Sequence, residues 1–300
     1  MNQPVAASSV PLRDLVAMLR PHQWVKNLPV LAPLFLSSHD GDVSSWIATV
    51  VAFIAFSLVA SGGYCINDVL DLKHDRSAPG RRRNPVASGH VPAPVATLAG
   101  GVLICGGLVS VLSVNPATAA AIAIYALGSL AYSGWLKRLF IIDCLILSGL
   151  FTLRLAAGAA AVDVPMSAWL TSFAVPLFLS LALMKRCAQI DGAETDMRLA
   201  GRNYQSKDRP LVHRLALATG LLAVLVLVGY VVLGGYEAGA YRAPMWLWGF
   251  PAAIALFLLR VATVLGKGRL DTDPVAFALR DPLSLGAGIA LALSFFFARG

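Results

Sequence analysis

Three aspartates, Asp68, Asp71 and Asp75, come directly after an uncharged stretch long enough to cross a bilayer. If the chain continues as a helix, their spacing of three and four residues places them on one face, and Asn67 joins them. Carboxylates stacked in this way repel one another, and a divalent cation would remove that repulsion. Hard oxygen ligands suit Mg²⁺, with Mn²⁺ as an alternative.

Mg²⁺ in proteins usually keeps several waters and shares its coordination shell with substrate phosphates. The pattern therefore predicts that Asp68, Asp71 and Asp75 hold Mg²⁺ and that the metal holds a diphosphate. The alternative is a solvated helix end, in which the aspartates pair with Lys73 and Arg76.

The composition defines the environment of this site. Of the 300 residues, 57% are hydrophobic and 13% are charged, whereas soluble domains have roughly 25% charged residues. The apolar residues occur in segments of about 20, as transmembrane helices require. We predict an all-α, polytopic membrane protein with nine spans, at 22–38, 45–66, 92–113, 117–134, 140–161, 166–184, 212–234, 244–265 and 282–298.

The distribution of lysine and arginine predicts the orientation of the chain. With nine spans, 21 of the 24 basic residues lie on the side of the N-terminus. Positive loops favour the cytoplasm, so we predict a cytoplasmic N-terminus, an external C-terminus and a site that faces the cytoplasm, in the cell membrane. The acidic residues mixed among these cations indicate a site that handles both cations and anions.

Two ionisable residues, Asp143 and Arg154, lie within the predicted span 140–161. They are eleven residues apart, almost three helical turns, so they face the same way but are too distant to pair directly. Ionisable groups at membrane depth are costly and indicate function by default. We predict that each faces a cavity or a neighbouring helix.

The acidic motif, N-D-x-x-D-x-x-x-D, resembles the first motif of the UbiA superfamily of intramembrane prenyltransferases. "RRRNPVASG" (81–89) resembles the turn that follows it in that family. Four further stretches resemble one branch, the decaprenyl-phosphate phosphoribosyltransferases. They are "RPHQWVKN" (20–27), "FTLRLAAGAAA" (151–161), "MKRCAQIDGAE" (184–194) and "ALRD" (278–281).

The resemblance implies a ring of nine helices around a central cavity open to the membrane. It implies transfer of 5-phosphoribosyl from phosphoribosyl diphosphate to a polyprenyl phosphate of the decaprenyl type. Catalysis is assigned to Asp68, Asp71, Asp75 and Arg154. The residues assigned to substrate binding are Arg20, Lys26, Asn27, Asn67, Arg83, Tyr132, Lys137, Lys185, Asp191 and Glu194.

Some matches to the family pattern are incomplete. Asp191 and Glu194 stand where the superfamily has a second acidic motif, usually richer in aspartate, and Gln189 replaces an acid often found in this branch. Tyr132 and Lys137 resemble a Tyr-x-x-x-Lys element, with one additional residue between them. We therefore expect the first motif to dominate metal binding.

Two other functions are alternatives. An aromatic prenyltransferase would use the same acidic motif with a polyprenyl diphosphate donor and a 4-hydroxybenzoate-type acceptor, but it would need fewer anion-binding residues. A transporter or flippase would be expected to carry inverted repeats or matching broken helices, and the sequence shows neither.

The simplest domain organisation is a cytoplasmic or interfacial segment, 1–19, followed by one transmembrane catalytic domain, 20–300. The expected partners are phosphoribosyl diphosphate, a polyprenyl phosphate and the membrane. We expect no nucleic acid partner, and a homo-oligomer stays an open alternative.

Overall fold

The computed structural model describes residues 10–37, 41–77, 84–192, 201–236, 239–270 and 273–300, and every regular element in them is helical. The α-helices are α1 (Leu12–Leu19), α2 (Ala32–Leu36), α3 (Val43–Leu70), α4 (Leu72–Ser77), α5 (Ala93–Val111), α6 (Pro116–Gly134), α7 (Ile142–Ala161), α8 (Ala168–Asp191), α9 (Arg209–Val232), α10 (Gly249–Gly266), α11 (Pro274–Ala278) and α12 (Pro282–Arg299). The 3₁₀ helices are Pro21–Leu31, Leu136–Arg138, Ser206–Asp208 and Pro244–Trp248.

Within these described residues, eight helical segments are long and apolar enough to cross a membrane. They correspond to the last eight predicted spans. The all-α class is confirmed, and the chain is a multi-pass membrane protein.

Side chains cap several of these helices. Asp42 accepts from the backbone N–H groups of Ser44 and Ser45 at the start of α3, and the side-chain hydrogen bond from Ser44 contributes most to lowering the pKa of Asp42 to about 2.

The first predicted span, 22–38, differs from the other eight. It is helical, but it consists of the 3₁₀ helix Pro21–Leu31 followed by the single short helix α2. Pro21, Pro29 and Pro33 lack the backbone N–H that an α-helix uses, which explains the interruption. A 3₁₀ helix of 11 residues is unusual, because such runs rarely exceed three or four residues.

The chain divides into two compact units. The first comprises Met1–Trp135 and Leu153–Pro165, and the second comprises Leu136–Thr152 and Met166–Gly300. The predicted division into a segment 1–19 and a domain 20–300 stays a prediction. In the first unit, Met18 of α1 is buried with Cys65 of α3 and with Val86, Val91 and Ala96.

Small residues bring helices of the first unit into close contact. A Cβ added at Gly62 of α3 would lie 2.6 Å from the Gly100 carbonyl oxygen of α5, and one at Gly107 would lie 2.7 Å from the Ala55 carbonyl oxygen. Membrane helices associate through such small-residue interfaces because lipid tails provide no hydrophobic drive for association.

Gly158 on α7 contacts the 3₁₀ helix Pro21–Leu31 in the same manner. An added Cβ would lie 2.0 Å from the Val30 carbonyl oxygen, so the backbone would have to move. We expect Gly158→Ala to lower the free energy of unfolding by about 1–3 kcal/mol. Thermal unfolding in a single detergent measures this.

The matched control is Gly149→Ala on the same helix, where an added Cβ meets nothing within 4 Å. Alanine is the better helix former by about 1 kcal/mol, so this variant should be as stable as the wild type or slightly more stable. Equal destabilisation by both substitutions would contradict the packing role of Gly158.

The second unit has its own core, formed by α8, α9 and α10. Leu183, Met184, Val212, Val261 and Leu265 are buried together in it. Gly220 of α9 lies against Ser180 of α8, and the Ser180 hydroxyl donates to the Ala216 carbonyl oxygen at 2.7 Å. This packing fixes the end of α8, which carries Lys185 and Arg186.

Candidate functional site

The acidic motif lies where α3 ends and α4 begins. α3 ends at Leu70, and Asp71 is its C-cap. Helical hydrogen bonding nevertheless continues across the junction, from the Asp71 N–H to Asn67 and from the Asp75 N–H to Asp71, both at 2.9 Å. Asp68 and Asp75 are buried, and Asp71 and Asn67 are half-buried. The aspartates therefore keep the helical spacing expected from the sequence, although the α-helix is interrupted among them.

Asp68 is paired with Arg20. The Arg20 Nη2 lies 2.6 Å from Asp68 Oδ1, and the Asp68 side chain is only 2% exposed. The other oxygen, Oδ2, is buried and accepts no hydrogen bond of normal geometry from the described residues. The charge of Asp75 and the amide of Asn84 also act on this carboxylate.

These residues fit a divalent cation that is shared with a substrate, and those that the structure describes do not by themselves form a metal cage. Among the described residues, no three His, Cys, Asp or Glu side chains converge on one point. Mg²⁺ typically takes one or two carboxylates and completes its shell with water and phosphate oxygens. Asp68 Oδ2, which accepts no hydrogen bond of normal geometry within the described part of the chain, is an oxygen of the kind that such a cation uses. Arg76, beside the motif, donates from Nε to the Ala87 carbonyl oxygen at 3.2 Å, and its pairing with the aspartates stays the alternative.

Arg154 on α7 is buried in the first unit. Its Nε donates to Asn27 Oδ1 at 2.9 Å, and its Nη2 donates to the Tyr125 hydroxyl at 3.4 Å. The guanidinium also lies over two aromatic rings, 5.1 Å from the centre of Phe56 and 5.0 Å from that of Tyr125. Both contacts are cation–π interactions, which are strongest where the cation is desolvated.

The hydrogen bond from Arg154 to Asn27 and two further side-chain hydrogen bonds attach the 3₁₀ helix Pro21–Leu31 to the rest of the unit. Asn27 is buried and also donates to the Ser57 hydroxyl at 3.0 Å. Trp24 donates from its indole nitrogen to the Ser61 hydroxyl at 3.0 Å. Lys26 lies between these two anchored residues and is half-buried. Arg154 therefore helps to hold in place the 3₁₀ helix that carries Lys26.

The second unit contains a buried charged cluster around Asp143, at the start of α7. Asp143 Oδ2 lies 2.6 Å from Arg186 Nη2 and 3.3 Å from Arg202 Nη1, and the side chains of Asp143 and Arg186 are 0% exposed. Arg186 also donates to Gln189 and lies 5.3 Å from the centre of the Tyr204 ring. Asp143 contacts residues of other segments, as its position in the span predicted.

Tyr204 joins this cluster to the backbone before α7. Its hydroxyl donates to Asp143 Oδ1 and accepts the Ile141 N–H at 2.9 Å. Burial raises the pKa of Tyr204, and the neighbouring Cys144 and Asp143 raise it further, so the hydroxyl stays protonated and can donate. Ile141 has a φ of 63°, which is unfavourable for a β-branched residue, and the hydrogen bond from Tyr204 helps to hold it there.

Other predicted residues of the second unit take part in ion pairs. Lys185 lies 3.4 Å from Asp273. Asp191 accepts two hydrogen bonds from Arg209, at 3.0 and 3.2 Å. Asp281, in the stretch "ALRD", caps α12 through the Ser284 N–H and pairs with Arg260 at 2.7 Å. The bond from Arg260 contributes most to lowering the pKa of Asp281 to about 2.

The remaining predicted residues are placed as follows. Tyr132 is half-buried in α6, and Lys137 is buried in the 3₁₀ helix Leu136–Arg138. Arg83 and Glu194 lie outside the described residues. The structure thus joins Arg20 to Asp68 and Arg154 to Asn27.

Sequence reasoning missed the partners of these groups. Phe56 and Tyr125 look like ordinary apolar residues of their spans, and Tyr204 and Arg202 look like ordinary loop residues. Their roles depend on which helices are neighbours. The one available signal was Asp143, because a carboxylate within an apolar span requires a partner.

The fold and these sites define a multi-pass α-helical membrane protein with paired acidic and basic groups at the end of a helix. Residues 27–281 match the UbiA prenyltransferase family, and the chain belongs to that family. It is 31% identical to a decaprenyl-phosphate phosphoribosyltransferase of Mycolicibacterium smegmatis, over 94% of this chain and 92% of that protein.

The comparisons found further similar proteins. The chain is 32% identical to protein y4nM of Sinorhizobium fredii over 96% of its own length, but it spans only 56% of y4nM. It is 33% identical to a 4-hydroxybenzoate octaprenyltransferase of Albidiferax ferrireducens, over 62% of each chain. A UbiA homolog from Archaeoglobus fulgidus, solved with DMAPP and Mg²⁺, superposes with a TM-score of 0.72 at 14% identity, covering 95% of this chain and 97% of that one.

Proposed function

We propose that this protein transfers a 5-phosphoribosyl group from phosphoribosyl diphosphate (PRPP) to a polyprenyl phosphate. The observation that carries the proposal is the buried Asp68, whose Oδ2 has no hydrogen-bond partner of normal geometry among the described residues, beside Arg20 and followed by Asp71 and Asp75. Similarity to the mycobacterial phosphoribosyltransferase over nearly the whole chain supports the sugar-phosphate donor.

In this reaction, the bond between ribose C1 and the diphosphate oxygen breaks, and C1 bonds to an oxygen of the lipid phosphate. The proposed metal ligands are Asp68, Asp71 and Asp75. A bound Mg²⁺ would neutralise negative charge on the departing diphosphate. The UbiA homolog solved with Mg²⁺ supports the use of a divalent cation.

The chain supplies fixed positive charge for the phosphates. Arg20 is placed at the carboxylate that would bind the metal, and Lys26 is held on the anchored 3₁₀ helix. We propose that these two cations bind the diphosphate and phosphate oxygens through charge-assisted hydrogen bonds. Asn27 and Arg154 fix the backbone on which Lys26 stands. Lys137, Lys185 and Asp191 stay predicted substrate-binding residues.

The acceptor needs no activated serine or cysteine. A phosphate monoester has a second pKa near 6, so the lipid phosphate is an anion at neutral pH and can attack without a general base. We propose that the donor enters from the cytoplasm, because PRPP is highly charged and the basic loops are predicted to lie on that side.

Lys26 and Arg154 provide a test of these roles. We expect Lys26→Ala to raise KM for PRPP or for the lipid phosphate about tenfold, with thermal stability near that of the wild type, because one charge-assisted contact is lost. Arg154→Ala should raise KM as well and should also lower thermal stability, because the buried guanidinium supports Asn27 and packs on two rings. Kinetics and thermal unfolding of one detergent preparation separate the two effects. Wild-type kinetics in both variants would contradict the phosphoribosyl assignment and favour aromatic prenylation.

Aromatic prenylation is the second candidate, and the similarity to 4-hydroxybenzoate octaprenyltransferase supports it. It would use the same aspartates with a polyprenyl diphosphate. The contact of Arg20 with Asp68 and the neighbouring Lys26 favour the sugar-phosphate reaction, because that reaction joins two separate phosphorylated substrates and needs more anion-binding groups.

Turnover of the purified protein distinguishes the two functions. One assay contains PRPP and a polyprenyl phosphate, and a second contains a polyprenyl diphosphate and 4-hydroxybenzoate. We expect diphosphate release and a phosphoribosylated lipid in the first assay alone. Activity in the second assay alone would overturn the proposal.

A further inference from the structure

We propose that Arg20 is a built-in substitute for the metal ion. In the absence of metal its guanidinium neutralises Asp68, and when Asp68 takes up a divalent cation Arg20 is displaced onto the substrate diphosphate. The inference rests on the metal site of the proposed function and gives Arg20 a second role there, as the counter-charge of Asp68 before the metal binds.

The contact itself is the first argument. Arg20 Nη2 lies 2.6 Å from Asp68 Oδ1, and the Asp68 side chain is 2% exposed whereas that of Arg20 is 33% exposed. A buried carboxylate without a counter-charge is costly. Arg20 supplies the positive counter-charge from a position that water and ligands can reach. The guanidinium also lies 5.3 Å from the centre of the Tyr64 ring.

The backbone at Arg20 is the second argument. Arg20 is the C-cap of α1 and has φ 53° and ψ 54°, a left-handed conformation that favours glycine. The residue after it is Pro21, which restricts this position further. The backbone alone therefore offers no reason for arginine here, and the side-chain contact with Asp68 offers one.

Neighbouring hydrogen bonds hold this backbone in place. The Ser61 hydroxyl of α3 donates to the Leu19 carbonyl oxygen at 2.8 Å and accepts the Trp24 indole N–H at 3.0 Å. The backbone on either side of Arg20 is thus tied to the helix that carries Asp68. We therefore infer that the guanidinium would move from the carboxylate to a phosphate by side-chain rotation, with the backbone held.

Electrostatics gives the direction of the exchange. A divalent cation on Asp68 would stand within contact distance of the guanidinium, and two cations on one carboxylate repel each other. A diphosphate on the same cation would bring oxygens that a guanidinium binds in a bidentate manner. Arg20 should therefore oppose binding of the metal alone and favour binding of the metal together with diphosphate.

The test measures Mn²⁺ binding to the purified full-length protein by electron paramagnetic resonance. We expect Arg20→Ala to bind Mn²⁺ alone roughly tenfold more tightly than the wild type, because a charge-assisted hydrogen bond no longer competes for Asp68. With Mn²⁺ saturating, the same variant should bind inorganic diphosphate roughly tenfold more weakly, because the charge-assisted hydrogen bond from Arg20 to the diphosphate is lost.

Matched variants make the result specific. Arg13→Ala removes one charge from the exposed face of α1 and should leave both affinities near those of the wild type. Arg20→Gly removes the same side chain and relieves the left-handed backbone, so it replaces Arg20→Ala if that variant does not fold.

Two failures are distinguishable. If the wild type binds Mn²⁺ and Asp71→Asn abolishes this binding, the metal site stands. In that case, unchanged or weaker Mn²⁺ binding by both Arg20 variants overturns the inference alone. If the wild type binds no Mn²⁺, with or without diphosphate, the metal site and the inference are both overturned.

Discussion

Asp71→Asn should reduce turnover with PRPP and polyprenyl phosphate by at least about a hundredfold, while the protein stays folded. Loss of one group that stabilises developing charge typically has an effect of this size. Asp71 is half-buried at the C-cap of α3, so the isosteric amide leaves no cavity. Asp68→Asn should be equally inactive, but it also removes the partner of Arg20, which makes Asp71 the clearer test.

The measurement is diphosphate release, with thermal unfolding recorded on the same samples. Asp163→Asn is the matched control: Asp163 is exposed, and asparagine is well tolerated at its φ of 54°, so this variant should turn over normally. EDTA should stop the wild-type reaction, and Mg²⁺ or Mn²⁺ should restore it. Normal turnover by Asp71→Asn, or turnover that persists in EDTA, would contradict the metal assignment.

Asp143→Asn should cause a large loss of stability, about 3–5 kcal/mol in the free energy of unfolding. Asp143 and Arg186 are fully buried, and Arg202 and Tyr204 contact the same carboxylate. Removing the negative charge leaves a buried guanidinium without the carboxylate that compensates it. The thermal unfolding midpoint in detergent checks this expectation.

Asp191→Asn is the matched control for this effect. The pair of Asp191 with Arg209 is the same kind of ion pair, but both side chains are 30% exposed, and exposed pairs contribute about 0–1 kcal/mol. The double variant Asp143→Asn/Arg186→Met should recover part of the lost stability, because it removes the uncompensated cation as well. Equal unfolding midpoints for Asp143→Asn and Asp191→Asn would contradict the proposed importance of the buried cluster.

The sequence alone determined the fold class and most of the helices. Spans of about 20 apolar residues have one stable form in a bilayer, because every backbone N–H and C=O must be satisfied within the segment. This constraint is local, and for that reason eight of the nine predicted spans correspond to long helices in the described residues. The spacing of Asp68, Asp71 and Asp75 along one helical direction is local for the same reason.

Local reasoning was less successful where proline and polar residues compete with helix formation. The segment 22–38 is apolar enough to suggest a span, but its prolines produce a 3₁₀ helix and a short α-helix. The break at Asp71 was likewise not predicted, because the spacing of the aspartates is that of a continuous helix. The backbone hydrogen bonds on either side of Asp71 keep this spacing although the α-helix is interrupted there.

The partners of the charged residues were decided by tertiary structure alone. Arg20 could be linked to the acidic motif through a family resemblance, but its ion pair with Asp68 is 48 residues distant in sequence. Arg154 meets Asn27 across 127 residues, and Asp143 meets Tyr204 across 61. A buried charge must find a counter-charge or hydrogen bonds, so the sequence shows that partners exist. Which side chains they are depends on how the helices pack, and that packing is set by contacts such as Gly158 with Val30, which no local pattern specifies.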